Sequence, residues 1–176
     1  YHPDPAIEFD DVRIRKRFES RDTDWKDIRD FLTILAVSHT VVPEGDLTNA
    51  AKIRYQAESP DEGALVLAAK CLGFFFCGKT AKTHTIDVFG EKQTYEVLNI
   101  NKFNSTRKRM SMVVRTPEKK IMLFIKGADN VMVERLDPET LKVDELSEAL
   151  KGFANEGLRT LVLAQRQLRE EEWQQW

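Results

Sequence analysis

The sequence predicts an α+β fold, in which a twisted, mainly antiparallel β-sheet is flanked by helices. A long amphipathic pattern near the start and a capped segment beginning at residue 59 each predict a helix. Short β-prone segments then follow one another, separated only by turn-like residues. Consecutive strands with short links pair antiparallel, and helices then pack on the sheet they form.

The composition indicates an ordinary globular protein. The chain has 176 residues, 41% hydrophobic and 32% charged, so one domain with a sizeable core is expected. The net charge of −2 gives no overall field that favours nucleic acid or anionic lipid. Cys71 and Cys77 lack partners at zinc-ligand spacing, which favours a reduced, cytosolic compartment. No signal-peptide pattern occurs, and the longest apolar runs, at residues 73–77 and 121–125, are far too short to span a bilayer.

The first segment differs in composition from the rest. Residues 1–24 contain two prolines, several charges and few apolar side chains, which predicts a charged, extended lead-in or linker. We assign residues 25–176 to a single domain. Residues 25–40 predict a helix, because one stripe of the helical pattern carries Trp25, Ile28, Leu32, Leu35 and His39. We expect His39 to be a partly buried residue at the helix end, and residues 43–51 to form a polar loop.

A strand-to-helix junction follows. Residues 52–55 alternate polar and apolar side chains, as a half-buried strand does. Ser59 is a good N-cap, and Pro60 suits the first helical position, where its missing N–H costs nothing. Glu62 lies three residues after Ser59, so the pair predicts a capping box and a structural role for Glu62. Gly73 is expected to end this helix.

The remaining segments predict a meander of strands and two further helices. The strands are predicted at residues 74–79, 83–89, 93–103, 109–115, 121–126 and 158–168, with a hairpin turn at residues 117–120. A short helix is expected at residues 128–135. A longer one is expected at residues 143–156, with Leu146, Leu150 and Phe153 on its stripe and Gly157 as its C-cap.

Residues 73–80 match the phosphate-binding pattern G-x-x-x-x-G-K-[ST], but we reject this interpretation. The pattern binds phosphate where a strand enters the loop and a helix leaves it. Here a helix enters, and the residues after Thr80 are polar and β-prone. A helix C-cap followed by a core strand explains the apolar run Phe-Phe-Phe-Cys equally well.

Four side chains could together form a nucleotide site, although each also has a plain structural interpretation. Glu62 suits a helix cap. Phe103 suits an ordinary core, or an aromatic ring at a strand end on which a base can stack. Lys126 suits a solvated strand end, or a movable cation that reaches into a cleft. Arg159 suits a surface ion pair, or a planar contact to phosphate oxygens.

Four motifs in order decide between these interpretations. They are Ser-Pro-Asp-Glu-Gly-Ala-Leu-Val at residues 59–66, Phe-Asn-Ser-Thr-Arg-Lys-Arg-Met-Ser at 103–111, Lys-Gly-Ala-Asp at 126–129 and Glu-Gly-Leu-Arg-Thr-Leu at 156–161. Together they resemble the nucleotide-binding (N) domain of type IV P-type ATPases, the phospholipid flippases. The resemblance covers residues 30–176, and it implies the N-domain form of the α+β fold.

The resemblance implies a site for ATP, which would be Mg-ATP in the parent enzyme. It implies that Phe103 stacks on adenine, Glu62 with Asp61 lines the adenine end, Lys126 lies deep in the pocket, Arg159 contacts the phosphates, and Ser105 and Lys108 border the pocket.

The resemblance also implies that this chain is a fragment of a larger enzyme. The aspartyl-phosphate motif Asp-Lys-Thr-Gly-Thr of P-type ATPases does not occur in it, so we expect no catalytic residue, no metal ligand and no turnover from this chain alone. The implied partners are the phosphorylation and actuator domains of the parent chain, with an accessory subunit. The implied location is a cytosolic domain of an integral membrane protein, without nucleic acid and without direct membrane insertion.

Two rival functions remain. The first is a small domain that binds a protein or RNA through Phe103 and the basic cluster at residues 107–109. The second is an autonomous P-loop NTPase. A nucleotide titration tests the first rival, and substitution of Lys79 tests the second, because only a P-loop needs that lysine to contact nucleotide.

Overall fold

Six consecutive strands form one antiparallel sheet in chain order. The structure is a computed structural model that describes residues 11–21, 24–139 and 142–176. The sheet holds its strands side by side in the order of the sequence. Its strands are β3 (Phe74–Lys79), β4 (Thr83–Val88), β5 (Glu91–Asn101), β6 (Arg109–Arg115), β7 (Ile121–Gly127) and β8 (Val162–Leu168). The predicted α+β fold with an antiparallel sheet and flanking helices is confirmed.

Helices flank this sheet. They are α1 (Val12–Ser20), α2 (Trp25–Val37), α3 (Pro60–Cys71), α4 (Asp129–Met132), α5 (Val143–Asn155) and α6 (Glu170–Gln175), with a 3₁₀ turn at Val133–Arg135 after α4. The main core joins α2 and α3 to the sheet through buried apolar residues that include Leu32, Leu35, Val66, Phe74, Phe76, Ile86 and Met112.

The apolar run in β3 is buried on both faces of the sheet. Phe74 and Phe76 belong to the main core, whereas Phe75 and Cys77 form a second small cluster with Ala50 and Ile53. That second cluster lies under a two-stranded antiparallel sheet of β1 (Val42–Glu44) and β2 (Arg54–Gln56). The prediction of a loop from residue 43 is therefore wrong at its start, and the strand predicted at residues 52–55 begins two residues later.

The predicted extended lead-in contains a helix instead. Asp11 caps α1 by accepting a hydrogen bond from the Arg13 N–H at 2.8 Å. Phe18 then packs against Trp25 and Phe89, with ring centroids 5.5 and 5.6 Å away. The helix is anchored by this tertiary contact, which the local composition does not predict. The domain boundary at residue 24 stays a prediction, and residues 1–10 and 22–23 lie outside the described residues.

Several boundaries differ from those predicted. The helix α2 ends at Val37, and its last hydrogen bond runs from the Ser38 N–H to the Ile34 carbonyl. The strand β5 ends at Asn101, two residues before Phe103, and β8 begins only at Val162. The last helix, α6, was not predicted at all. The short helix after residue 128 and the positive φ of Gly157 after α5 agree with prediction.

His39 is fully buried, so the expectation of a partly buried helix end is wrong. Its ring stacks on His84, with centroids 5.2 Å apart and planes 21° apart. The His39 Nε2 lies 2.9 Å from the Ala36 carbonyl oxygen, and the His84 Nδ1 lies 2.8 Å from the Val37 carbonyl oxygen. Burial lowers the pKa of His84 to about 4 and holds the pKa of His39 well below its usual range.

This histidine pair predicts a loss of stability in mild acid. Unfolded histidines bind protons below about pH 6.5, whereas the folded pair resists protonation, so the free energy of unfolding should fall as the pH drops below that value. His84 alone should lower the free energy of unfolding by up to about 1.4 kcal/mol for each pH unit below about 6.5, until the pH reaches the pKa of His84 in the folded protein. Urea denaturation between about pH 7 and about pH 5 measures the slope.

The variant His84→Gln removes one titrating group and serves as the comparison. Its slope of stability against pH should be shallower than that of the unaltered protein, whatever its absolute stability. Equal slopes would contradict the assignment of His84 as a buried neutral side chain.

Candidate functional site

A cavity of about 560 Å³ opens where β5 and β7 end, β6 begins and α3 starts. The antiparallel register brings these ends together, because Met110 lies opposite Lys126 and Asn101 lies opposite Ser111. The cavity is lined by Thr40, Glu58, Ser59, Asp61, Glu62, Leu65, Lys102, Phe103, Lys108, Met110, Lys126, Gly127, Ala128 and Leu161.

Five of the predicted site residues line this cavity: Asp61, Glu62, Phe103, Lys108 and Lys126. Arg159 does not line it but reaches its edge, where its guanidinium forms a 2.8 Å ion pair with Asp61. Ser105 is exposed in the turn after Phe103 and lies outside the lining. The geometry thus brings six of the seven residues to one place; their roles toward a ligand stay predictions.

Lys126 carries a buried positive charge at the base of the cavity. It is 6% exposed, and among the described residues its Nζ has no hydrogen-bond partner. Burial lowers the pKa of Lys126 to about 8, and the Glu62 carboxylate partly opposes this shift. Its interpretation as a solvated strand end is therefore wrong. Because a buried charge without a partner is unfavourable, this ammonium is suited to an acceptor supplied by a ligand.

Phe103 has the opposite character, since it is 62% exposed at the cavity mouth. It follows the end of β5, so the alternative of an ordinary core residue is wrong. An exposed aromatic ring beside an apolar cavity offers a surface on which a planar ligand can stack.

Glu62 does not form the predicted capping box. Ser59 has the N-cap position and Pro60 starts the helix as predicted, but the Ser59 side chain makes no capping hydrogen bond. Glu62 instead accepts two hydrogen bonds from Thr40, from its N–H to Oε1 and from its hydroxyl to Oε2, both at 2.9 Å. The packing of α2 on α3 brings Thr40, three residues after the end of α2, within reach of this carboxylate, and that contact replaces the local cap.

The turn between β5 and β6 is held in an unusual backbone conformation. Lys108 has a φ of 51°, a region that side chains other than glycine rarely adopt. Its N–H donates to the Asn104 carbonyl at 2.8 Å, and its own carbonyl accepts from the Ala128 N–H at 3.0 Å. These two hydrogen bonds hold Lys108 in its strained conformation at the cavity wall. Strained backbone residues of this kind cluster at functional sites.

Gly127 allows that turn to lie close to the end of β7. A Cβ on this residue would lie 2.6 Å from the Arg109 Cβ and 2.8 Å from the Lys108 carbonyl oxygen. A side chain would therefore force β6 and β7 apart beside Lys126.

The basic cluster at residues 107–109 does not form a common surface. The Arg107 guanidinium donates to the Lys102 carbonyl at 3.1 Å, and the Arg109 guanidinium donates to the Arg107 carbonyl at 3.0 Å. Both arginines brace the turn, and of the three only Lys108 lines the cavity. This arrangement weakens the alternative of an RNA-binding patch around Phe103.

Sequence reasoning missed several cavity residues, notably Thr40, Glu58 and Lys102. Lys102 and Glu58 form a 2.8 Å ion pair at the cavity, with side chains 62% and 71% exposed. Glu58 directly precedes the motif at residues 59–66, and Lys102 directly precedes the motif at residues 103–111. This adjacency is the one sequence signal that could have pointed to them. Thr40 gave none, because its contact to Glu62 spans 22 residues of chain.

The rejected P-loop is indeed a strand. Gly78 and Lys79 pair with Thr85 and His84 in the sheet, and the Lys79 amine donates to the carbonyl oxygens of Thr40 and Val41 at 2.9 and 3.1 Å. Its interpretation as a helix end followed by a core strand is confirmed.

Two kinds of feature are absent from the described ranges: a cluster of metal-ligating side chains and a helix able to span a membrane. Across residues 11–21, 24–139 and 142–176, no group of three or more His, Cys, Asp or Glu side chains could hold a metal ion. Among the helices in those same ranges, none has the length and apolar character needed to cross a membrane.

Comparison with known proteins identifies the family. Residues 27–175 match the family described as P-type ATPase, cytoplasmic domain N. The chain belongs to this family. The family predicted from the four sequence motifs is therefore confirmed, and the cavity lies within the matched residues.

The relatives of this N domain are much longer proteins. The chain is 46% identical over 171 residues to phospholipid-transporting ATPase DRS2 of Saccharomyces cerevisiae, covering 96% of this chain and 12% of the relative. It is 49% identical over 150 residues to phospholipid-transporting ATPase IC of Homo sapiens, covering 85% and 12%. It is 43% identical over 173 residues to phospholipid-transporting ATPase IC of Xenopus tropicalis, covering 98% and 13%. The chain thus spans about an eighth of the length of the curated relatives it matches.

The close approach at Gly127 predicts the effect of adding one methyl group. Gly127→Ala should lower the free energy of unfolding by about 1–3 kcal/mol, because the backbone of β6 must move. Gly152→Ala is the matched control, since a Cβ inside α5 would meet nothing within 4 Å. The control should be neutral or stabilising by up to about 1 kcal/mol. Equal effects in urea denaturation would contradict the crowding inferred at Gly127.

Proposed function

We propose that this N domain binds ATP in the cavity at the start of α3, as part of a phospholipid-translocating P-type ATPase. One observation carries the proposal: the buried ammonium of Lys126, which has no hydrogen-bond partner among the described residues, lies at the base of a cavity whose mouth carries the exposed ring of Phe103. The family match and the names of the relatives support the same function.

Each end of ATP has a suitable group in the proposed site. Phe103 would stack on adenine, a contact worth roughly 1–3 kcal/mol. Glu62, with Asp61 beside it, would accept a hydrogen bond from the adenine amino group, and Lys126 would contact the nucleotide at the base of the cavity. Arg159 would leave its exposed pairing with Asp61 to bind phosphate oxygens, since such exposed ion pairs are worth little. Lys108 and Ser105 would border the bound nucleotide.

The chemistry of the parent enzyme would lie beyond this chain. ATP would arrive as its magnesium complex, and its γ-phosphate would pass to an aspartate on the phosphorylation domain. The actuator domain and an accessory subunit are the further proposed partners. The N domain would then be the cytosolic, nucleotide-holding part of an integral membrane protein, an enzyme that couples ATP hydrolysis to lipid transport, with no turnover of its own.

Titration with ATP, followed by amide chemical-shift mapping, tests the proposed site. Shifts should cluster around Glu62, Phe103, Lys126 and Arg159. Phe103→Ala should weaken binding by about 5-fold to 150-fold through lost stacking, and Lys126→Met should weaken it by removing the buried charge. Phe153→Ala is the matched control. Phe153 is an exposed phenylalanine like Phe103, with 48% of its surface accessible, but it lies on α5 away from the cavity.

The same titration can contradict the proposal. Shifts centred on residues 73–80 would restore the P-loop interpretation. No shifts at millimolar ATP would exclude a nucleotide site and favour a protein or RNA partner.

The pH dependence of binding tests the role of Lys126 separately. Its pKa of about 8 means that the charge is lost as the pH rises through that value. ATP affinity should therefore fall between about pH 7 and about pH 9.5, and binding near pH 8 should take up protons, because the nucleotide anion favours the charged amine. Calorimetry in two buffers of different ionisation enthalpy measures this uptake. The Lys126→Met variant should lose both effects; if it retains them, another group is responsible.

A further inference from the structure

We propose that Thr40 and Lys79 are positioning residues that fix the Glu62 carboxylate for recognition of the 6-amino group of adenine. The inference rests on the proposed function, because it concerns how the same cavity selects its nucleotide. Neither residue belongs to the four motifs that predicted the site.

Thr40 uses every polar group it has in this arrangement. Its N–H and hydroxyl each donate to one oxygen of Glu62, and its carbonyl accepts from the Lys79 amine, all at 2.9 Å. Two donors from one residue fix both the position and the plane of the carboxylate. Thr40 also lines the cavity, so the fixed carboxylate faces the ligand space.

Lys79 in turn fixes the backbone of Thr40. Its amine donates to two successive carbonyls, those of Thr40 and Val41, at 2.9 and 3.1 Å. Lys79 does not line the cavity; its hydrogen bonds reach the site through Thr40, and its charge also attracts the Glu62 carboxylate. One cation that holds two adjacent carbonyls restrains the segment that presents the Thr40 donors to α3.

An irregularity in β3 directs Lys79 toward this segment. The register of β3 with β4 shifts between Phe76 and Gly78, which leaves Cys77 without an opposite residue. Without the shift, strict alternation from Phe76 would turn Lys79 away from the face that carries α2. With it, Lys79 lies opposite His84, whose ring contacts the Val37 carbonyl at the end of α2. Bulges that re-aim a side chain are common beside functional sites.

A carboxylate fixed in this way can distinguish bases by whether they carry an amino group at the position that it faces. Glu62 only accepts hydrogen bonds, so it favours a base with an amino donor over one that has none. A site arranged to hydrogen-bond a group rejects an analogue that lacks it, because its own polar group is then left unpaired. A loosely held carboxylate would discriminate less, since it could turn to water.

The test compares ATP with purine riboside triphosphate, which lacks the 6-amino group. The unaltered chain should prefer ATP by about tenfold or more, the range expected for a hydrogen bond to a charged group. Thr40→Val and Lys79→Met should each reduce that preference to about threefold or less, and Thr40→Ser should restore it. Glu62→Met should remove it, because no oxygen then remains to accept from the amino group, with no further loss when Thr40→Val is added.

Thr48→Val is the matched control. Thr48 also donates its N–H and hydroxyl to a carboxylate, that of Asp46, at 3.0 and 2.6 Å, but it lies outside the cavity lining. This variant should leave the preference unchanged. If Thr40→Val fails to give a folded amide spectrum, Lys79→Met carries the test.

The possible outcomes distinguish failure of the proposed ATP site from failure of the positioning roles of Thr40 and Lys79. An unaltered chain that binds neither nucleotide overturns the proposed function and this inference with it. A chain that binds ATP but keeps its full preference in Thr40→Val or Lys79→Met overturns the inference alone. If Lys79→Met weakens both nucleotides equally, Lys79 acts on the phosphates and the positioning role is wrong.

Discussion

The buried charge of Lys126 is the constraint on which the rest of the site depends. An ammonium that is 6% exposed and has no hydrogen-bond partner among the described residues reduces the stability of the fold, because it has lost its hydration without full compensation. Attraction to the Glu62 carboxylate favours its protonated form and only partly opposes the effect of burial. The fold therefore keeps an incompletely compensated charge in a cavity, an arrangement that an anionic ligand would complete.

The sheet order explains why this arrangement is rigid. The residues around Lys126 come from the ends of neighbouring strands, and β7 is paired on both sides along its full length. Gly127 lets β6 approach closely, and the Thr40 contacts join the carboxylate of α3 to the segment that follows α2. Rigid walls suit a site that must hold a ligand in one orientation. The exposed ion pairs at its edge, Asp61 with Arg159 and Glu58 with Lys102, can exchange partners at little cost.

Local sequence patterns predicted what local forces determine. The strands β6 and β7, the start of α3 at Pro60 and the turn after α5 followed from β-prone segments between turns, from capping and from glycine signals. The failures that bear on the site and on the buried histidines involve contacts distant in the chain. Glu62 bonds Thr40 rather than its own helix end, α1 is anchored through Phe18, and His39 is buried against His84. The strained conformation of Lys108 left no trace in its residue type. The site residues themselves came from the motif resemblance, because each has an ordinary structural interpretation when taken alone.

The central claim is that adenine stacks on Phe103 above the buried amine of Lys126. Intermolecular nuclear Overhauser effects between bound ATP and this chain measure that contact directly. The account predicts effects from the adenine H2 and H8 protons to the Phe103 ring, together with effects to the side-chain methylenes of Lys126. Effects from adenine to residues 73–80, or to the surface of α5, with none to Phe103, would contradict it.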